Sequence, residues 1–300
     1  MRLKTKILLS LLIFAASILF FAFLKGQYIF APQIDRIDQI FQKDQNIRSS
    51  DLDKIVSKAL EGTEGTYGIA IKNLKTGEGY YLNEHKQFEA ASLYKIWVMA
   101  TAFDQIEQSE LREGEILSQN VSTLNSKFNI ASETAELTKG QITFSVSDAL
   151  DQMITISHNY AALLLSERIG LNNVTNFLKA NNFSESSIGE PPHTTPYDVA
   201  IFFEKLYREE LGSKENTAKM LDILKKQRLN DGLPKYLPQG TLVAHKTGDL
   251  GWFKHDAGIV FSDEGDYIIV VMSESSSPPG AQEKMAQVSK SVYEYFQKNS

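Results

Sequence analysis

The order of strand-like and helical segments constrains the fold of this 300-residue chain more than any other feature. Gly65 to Asn73 alternates apolar and polar residues, and Gly79 to Leu82 follows a glycine-containing turn as its hairpin partner. Helical patterns dominate the middle of the chain, and strand-like patterns return towards its end. This order predicts an α+β fold, in which an antiparallel sheet is flanked by helices and an all-helical subdomain is inserted into it.

Periodicity and flanking turns locate the individual segments. Helical patterns cover Ser92 to Gln105, Val146 to Arg168, Tyr197 to Tyr207 and about Ala281 to Gln297. Strand-like patterns cover Thr241 to Lys246, Ala257 to Phe261 and Tyr267 to Met272. An earlier helix is predicted to run through Leu60, with Ser50 and Asp51 available to cap it.

A basic tip and a long apolar run begin the chain. Arg2, Lys4 and Lys6 precede Ile7 to Leu24, an uncharged run of 18 residues that is just long enough to span a bilayer as a helix. The basic residues before the run predict a cytoplasmic N-terminus. We therefore expect a single-pass anchor in the cell membrane, with the remaining chain outside the cytoplasm. Secretion after cleavage of a signal peptide is the alternative, although no clean small-residue cleavage site follows the run.

This interpretation divides the chain into three parts. Residues 1–25 form the cytoplasmic tip and transmembrane anchor, residues 26–50 a helical stalk, and residues 51–300 the main folded domain. The stalk is inferred from apolar residues at helical spacing among charges between Ile34 and Arg48.

Composition excludes several classes of function. A net charge of −6 leaves no basic footprint for a phosphate backbone, so we expect no nucleic-acid partner. The absence of cysteine excludes disulfides, thiolate metal sites and thiol nucleophiles. The five histidines show no helical or hairpin spacing typical of metal ligands, and we expect no cofactor.

A Ser-x-x-Lys pattern is the first candidate for chemistry. Ser92 and Lys95 lie three residues apart at the start of a predicted helix, so both side chains share one helix face. A serine hydroxyl is a weak nucleophile until a base removes its proton, and a buried lysine with a lowered pKa can be that base. The alternative is a helix N-cap followed by a surface lysine.

Two further patterns follow in the chain. Ser157-His158-Asn159 opens a predicted helix, where Ser157 or Asn159 is also a candidate N-cap. Lys246-Thr247-Gly248 ends a predicted strand, where Gly248 is a candidate turn residue. Each pattern by itself has an ordinary structural explanation. The three together, in this order, resemble the signature motifs of the penicillin-recognising serine enzymes, most closely the class A β-lactamases.

The resemblance extends from about Asp53 to the C-terminus. Besides the three motifs, it rests on the following segments: the hairpin Tyr67 to Leu82, Ala90-Ala91, Thr194-Thr195-Pro196 and His255-Asp256-Ala257-Gly258. It implies that the main domain is a serine hydrolase that forms an acyl-enzyme with β-lactams or related acyl-amide substrates such as peptidoglycan peptides.

The resemblance also implies a role for each motif residue. Ser92 is expected to be the acylated nucleophile, Lys95 the group that accepts its proton, and Ser157 the relay to the leaving nitrogen. Asn159 is expected to bind the substrate amide. Lys246 and Thr247 would hold the substrate carboxylate, with Gly248 and Asp249 beside the substrate. Backbone N–H groups of Ser92 and Asp249 would form the oxyanion hole.

Two departures from the family pattern affect the expected activity. His158 replaces the aspartate of Ser-Asp-Asn, which alters the local carboxylate network. The Glu-x-x-Leu-Asn segment, whose glutamate activates the deacylating water in class A enzymes, is absent, and the loop before Thr194 is short. Glu185 and Glu190 are the carboxylates of that loop, and solvated loop acids are their favoured interpretation. We therefore expect acylation followed by slow deacylation.

Three functional hypotheses remain from the sequence. The first is a membrane-anchored serine hydrolase of class A β-lactamase type. The second is a D-alanyl-D-alanine carboxypeptidase, in which the deacylating water is activated from the side of Lys95. The third is a non-catalytic sensor of β-lactams or of the cell wall. Retention of the nucleophile, both lysines and the relay serine favours the first two.

Overall fold

The computed structural model describes residues 48–298, which contain an antiparallel sheet of five strands. The strands lie in the order β2-β1-β9-β8-β7, so the first hairpin and the last three strands meet at the centre. The bounds of these strands are β1 Thr66–Asn73, β2 Gly79–Leu82, β7 Val243–Leu250, β8 Phe253–Val260 and β9 Tyr267–Glu274. This arrangement confirms the predicted α+β fold with an antiparallel sheet.

Helices cover the sheet and fill the region between its first and last strands. The helices are α1 Ser50–Leu60, α2 Lys95–Glu107, α3 Val121–Lys127, α4 Val146–Thr155, α5 Asn159–Ile169, α6 Leu171–Ala180, α7 Pro196–Tyr207, α8 Lys214–Lys225 and α9 Pro278–Lys298. A 3₁₀ helix, Ala91–Tyr94, leads directly into α2. Two small sheets join β3 Phe88–Glu89 to β6 His193–Thr194, and β4 Ile116–Asn120 to β5 Gln141–Ser145.

Both faces of the central sheet are buried. The side chains of Ile69 on β1 and Ile269 on β9 pack with Leu52 of α1 and Val292 of α9 in one apolar cluster. Helix α7 packs on β1, β8 and β9, and the Pro196 ring lies within van der Waals reach of Gly68. A strand buried on both faces loses its polar alternation, which explains the near-continuous apolar run in β9.

Helix α2 lies at the centre of the helical region. Its residues from Lys95 to Phe103 are all buried, so it has no solvent-facing stripe. Trp97 packs against Phe183 and Phe202, with ring centroids 4.8 and 5.2 Å apart. The 3₁₀ helix Ala91–Tyr94 is therefore continuous with a rigidly packed helix, and a reactive side chain on it would have a fixed position.

The structure corrects several predicted boundaries. The inserted region is not all-helical, because β4 and β5 form a two-stranded sheet there, joined across the strands by Ser118 Oγ and Thr143 Oγ1 at 2.7 Å. The helical pattern from Val146 to Arg168 is two helices, α4 and α5, separated at residues 156–158. Helix α1 is capped by Ser49, whose Oγ accepts from Leu52 N at 3.2 Å, and not by Ser50 or Asp51.

The predicted anchor, Ile7 to Leu24, and most of the predicted stalk lie outside the described residues. Within residues 48–298, no helix combines the length and the apolar character needed to cross a membrane. Arg48 forms a bridge with Gly79 and donates to the carbonyl oxygen of Tyr81. Arg48, within the segment assigned to the stalk, therefore contacts the sheet.

A buried carboxylate fastens the loop that precedes β6. Asp198 Oδ2, on the first turn of α7, accepts from Glu185 N at 2.9 Å and from Ser186 Oγ at 2.8 Å, whereas its Oδ1 is buried without a hydrogen-bond partner. Burial is the main cause that raises the pKa of Asp198 from 3.8 to about 6.

We expect the contribution of Asp198 to stability to fall as the pH rises from about 4 to about 6. A carboxyl whose pKa is raised on folding binds its proton more tightly in the folded state, so the stabilisation is complete below the unfolded pKa and lost above the folded one. A shift of two pKa units corresponds to roughly 3 kcal/mol. Urea unfolding at pH 4 and at pH 7 measures the free energy of unfolding. Asp198→Asn should remove this part of its pH dependence. If the free energy of unfolding differed between pH 4 and pH 7 as much in that variant as in the unmodified protein, the expectation would be contradicted.

Candidate active site

Ser92 lies on the 3₁₀ helix Ala91–Tyr94, directly before α2. Ala91 has a φ of 44°, a left-handed conformation that costs a non-glycine residue about 1–3 kcal/mol. The pairing of β3 with β6 holds this segment, and Ala90 N donates to the carbonyl oxygen of Pro192 at 2.7 Å. The surrounding structure therefore imposes a strained backbone next to Ser92, which is typical of functional positions.

Lys95 is completely buried, and its ammonium has three oxygen acceptors. Nζ donates to the carbonyl oxygen of Ser157 at 2.6 Å, to Ser157 Oγ at 3.1 Å and to Asn159 Oδ1 at 2.7 Å. Burial lowers the pKa of Lys95 to about 7, and the nearby Glu136 carboxylate partly opposes this effect. A substantial fraction of Lys95 is therefore a neutral amine near neutral pH, able to accept a proton.

Ser157 links the two lysines of the site. Its Oγ accepts from Lys95 Nζ and from Lys246 Nζ, both at 3.1 Å. Because a hydroxyl oxygen has two lone pairs, these two bonds leave the Ser157 proton available for donation. Ser157 also has a φ of 60°, so a second strained residue lies in the same cluster.

Lys246 reaches this cluster from β7, and it is also fully buried. Besides Ser157, its Nζ donates to the carbonyl oxygen of Thr247 at 2.7 Å. Burial lowers the pKa of Lys246 well below its usual value, the nearby Lys95 lowers it further, and Asp256 opposes the shift. A carboxylate bound beside Lys246 would favour its charged form, since an opposite charge stabilises the ammonium.

The orientation of the Asn159 amide follows from its two partners. Oδ1 accepts from Lys95 Nζ, and Nδ2 donates to the Glu136 carboxylate. A lysine ammonium only donates and a carboxylate only accepts, so a flipped amide would lose both hydrogen bonds. Asn159 therefore presents its N–H side to the Glu136 carboxylate.

The Lys246-Thr247-Gly248 motif lies in the middle of β7 and does not end the strand, contrary to the prediction. Pairing with β8 continues through Leu250, and the turn begins at Gly251, whose φ is 56°. At Gly248, a Cβ atom would lie 3.2 Å from the carbonyl oxygen of Ala90 and 3.0 Å from His255 Cδ2. Glycine thus lets β7 pass close to the segment before Ser92, with Asp249 next along the strand.

His255 connects the sheet to the same segment. Its Nε2 donates to the carbonyl oxygen of Glu89 at 2.9 Å, while Nδ1 accepts from Ser273 N at 3.2 Å. Burial lowers the pKa of His255 to about 4, so the ring is neutral and keeps this pair of bonds at physiological pH.

The N-cap of α5 is His158 and neither of the two predicted candidates. His158 Nδ1 accepts from Ala161 N at 3.2 Å. The reason lies in the site: Ser157 Oγ and the Asn159 amide already bind the two lysines and Glu136. The cap position therefore falls to the middle residue of the motif.

The two loop carboxylates have partners outside the lysine cluster. Glu185 lies 2.9 Å from His85 Nδ1 and accepts from Thr195 Oγ1 at 2.7 Å. The exposed Glu190 carboxylate accepts from Asn129 Nδ2 at 3.0 and 3.3 Å.

Sequence patterns gave no role to two acidic residues of the site, although the family resemblance included Asp256 within His255-Asp256-Ala257-Gly258. Glu136 belongs to no motif and lies in an exposed loop. Asp256 pairs with Thr247 in the β7–β8 register, and its Oδ1 lies 2.7 Å from His245 Nδ1. Strand pairing opposite the lysine motif could have indicated Asp256, whereas no sequence signal points to Glu136.

The site thus joins three separated motifs around one hydroxyl, and the sequence model of the β-lactamase enzyme family (Beta-lactamase2) matches residues 49–296. The chain belongs to this β-lactamase enzyme family. It is a serine hydrolase of class A β-lactamase type.

Known proteins are similar to this chain in sequence and in structure. The β-lactamase VEB-1 of Pseudomonas aeruginosa is 23% identical, and the match covers 84% of this chain and 92% of that protein. The structure of PBP-A superposes with a TM-score of 0.75 at 27% identity, covering 84% of this chain and 97% of PBP-A. A β-lactamase of Sphaerobacter thermophilus shares the fold, with a TM-score of 0.72, 23% identity, and coverage of 82% and 97%.

Proposed function

We propose that this protein is an extracytoplasmic serine hydrolase that becomes acylated at Ser92 by β-lactams and releases the acyl group slowly. The carrying observation is that Lys95 and Lys246 both donate to Ser157 Oγ, while Lys95 lies only three residues after Ser92, where the 3₁₀ helix leads into α2. A PBP-A mutant that forms an acyl-enzyme complex with penicillin G supports the same chemistry for this fold.

The proposed acylation moves the Ser92 proton to the leaving nitrogen through Lys95 and Ser157. The neutral Lys95 amine takes the Ser92 proton while Oγ attacks the β-lactam carbonyl carbon, and the backbone N–H groups of Ser92 and Asp249 stabilise the negative oxygen. The carbon–nitrogen bond then breaks. Ser157 gives its proton to the leaving nitrogen and recovers one from the protonated Lys95. Lys246 and Thr247 bind the substrate carboxylate.

The proposal of slow deacylation rests on the loop carboxylates. Hydrolysis of the ester requires a base that activates water near Ser92. Glu185 and Glu190 are instead bound to Thr195 and to Asn129. Neither contacts Lys95, Ser157 or Asn159 through a hydrogen bond described for residues 48–298.

We expect a long-lived Ser92 adduct with penicillin G and only poor hydrolysis of a chromogenic cephalosporin. Time-resolved intact-mass spectrometry of the protein reports attachment and release separately. Because no loop carboxylate acts as the base, Glu185→Gln and Glu190→Gln should each change the release rate by no more than about twofold. Rapid turnover in the unmodified protein, lost in either variant, would identify that glutamate as the base and overturn slow release.

The extracytoplasmic location is proposed from the sequence of the first part of the chain. Three basic residues followed by the apolar run Ile7 to Leu24 support a membrane anchor with the enzyme outside the cytoplasm. Protease treatment of intact cells would digest the enzyme domain in this topology and leave it intact in a cytoplasmic one.

A D-alanyl-D-alanine carboxypeptidase is the second candidate. The partners of Glu185 and Glu190 favour it, since water activation would then come from the side of Lys95. Release of D-alanine from a pentapeptide would select this function over β-lactam hydrolysis.

A further inference from the structure

Glu136 occupies one of the two N–H donors of Asn159 Nδ2, the group that the family resemblance assigns to the substrate amide. Its carboxylate accepts from Asn159 Nδ2, while the other end of that amide is held by Lys95 at 2.7 Å. Asn159 Nδ2 carries two N–H donors, so a substrate carbonyl that accepts from the second one lies beside this carboxylate. Glu136 therefore lies where the acyl side chain of a bound substrate begins.

The backbone beside Glu136 is anchored to buried groups. Leu137 N donates to the Tyr160 hydroxyl at 3.2 Å, and the carbonyl oxygen of Leu137 lies 2.7 Å from the same hydroxyl. Asn125 Nδ2 also donates to that carbonyl oxygen, at 2.8 Å. Tyr160 directly follows Asn159 on α5. Tyr160 therefore holds the backbone next to Glu136 close to Asn159, whose amide the Glu136 carboxylate contacts.

Positively and negatively charged side chains lie at different ends of the site. At one end, Lys246 and Thr247 suit a carboxylate. At the other, Glu136 contacts Asn159, and Glu190 is bound by Asn129, which belongs to the same 128–140 loop as Glu136. A ligand with a negative group at one end and a positive group at the other complements this distribution of charge.

We propose that Glu136 is a specificity-determining residue that favours substrates with a positively charged amine on the acyl side chain. This inference rests on the proposed function. The second N–H of Asn159 Nδ2 binds the substrate carbonyl, and the amine pairs with the Glu136 carboxylate. Substrates of this class include aminopenicillins and cell-wall peptides with a free amine close to the terminal dipeptide. A substrate without the amine cannot form this ion pair and therefore reacts more slowly.

The test compares two penicillins that differ by one amino group. Ampicillin carries an amine on the acyl side chain, and benzylpenicillin lacks it. The second-order rate constant for adduct formation at Ser92 is measured for each by time-resolved intact-mass spectrometry. In the unmodified protein we expect ampicillin to react about threefold faster, a preference typical of one exposed charge–charge contact.

Glu136→Gln should remove this preference, because glutamine keeps the shape without the charge. Glu133→Gln is the matched control, since Glu133 lies in the same exposed loop and should leave the preference unchanged. Glu136→Asp keeps the charge and should retain part of the preference.

Each result has one meaning. A loss of preference only in Glu136→Gln supports the inference. Equal rates for the two penicillins in the unmodified protein overturn it, as does a parallel loss for both substrates in Glu136→Gln, which would indicate a positioning role alone. If neither penicillin forms an adduct, the proposed function fails first, and the inference fails with it. Circular dichroism establishes that each variant is folded.

Discussion

Replacement of Ser92 by alanine should abolish the covalent adduct with penicillin G while the protein remains folded. The substitution removes one oxygen from a partly buried residue, so its effect on stability should stay within about 1 kcal/mol. The lysines carry no hydroxyl, and the other hydroxyl of the cluster, Ser157 Oγ, is held between Lys95 and Lys246 as the proton relay. The expected loss is therefore complete, and intact-mass spectrometry detects it as unmodified protein after incubation.

Ser126→Ala is a matched control for this experiment, since Ser126 is an exposed serine on α3, outside the site. It should form the adduct at the unmodified rate. An adduct of undiminished yield in Ser92→Ala would place the nucleophile elsewhere. Ser92→Ala also distinguishes an enzyme from a non-catalytic sensor, because a sensor would retain its biological effect without the Ser92 hydroxyl.

Lys95→Met should lower the rate of Ser92 acylation by about 10³-fold, within the range usual for loss of a general base. Methionine has a similar length but no amine to accept the proton. It also removes the donor that orients Asn159, so the effect combines proton transfer with positioning. Rapid-quench mass spectrometry measures the rate. Lys127→Met, at a half-exposed lysine paired with Glu167, is the control and should change it little.

The pH dependence gives an independent check on Lys95. Its pKa is lowered to about 7, and the base works only when it is neutral. The acylation rate should therefore reach a plateau above about pH 7 and fall about tenfold per pH unit below it. A rate that stays flat from pH 5 to pH 8 would contradict the assignment of Lys95 as the base.

Local patterns predicted the elements that depend on short-range periodicity. The hairpin Gly65 to Leu82 and the helix from Tyr197 to Tyr207 both appear in the structure close to their predicted bounds. Each shows a clear apolar periodicity because its residues alternate regularly between the core and the other face of the element. The family resemblance, confirmed by the match to residues 49–296, also rested on short motifs in a fixed order.

Elements whose residues serve the site were predicted less well. Lys246-Thr247-Gly248 was placed at the end of a strand, because its polar residues and glycine are typical of a turn. In the structure these residues are buried or half-buried within β7. Lys246 donates to Ser157 Oγ there, and the nearby Asp256 carboxylate favours its charged form. His158 caps α5 for a related reason, since its neighbours bind the lysines.

The sequence by itself determined the α+β order of elements, the three motifs and the family. Only the tertiary structure decided that Lys95 and Lys246 meet at Ser157 Oγ, and that Glu136 reaches Asn159. The physical reason is distance along the chain. Periodicity reports the local environment of neighbouring residues, whereas a site joined from residues 95, 136, 157 and 246 depends on how packed elements approach one another.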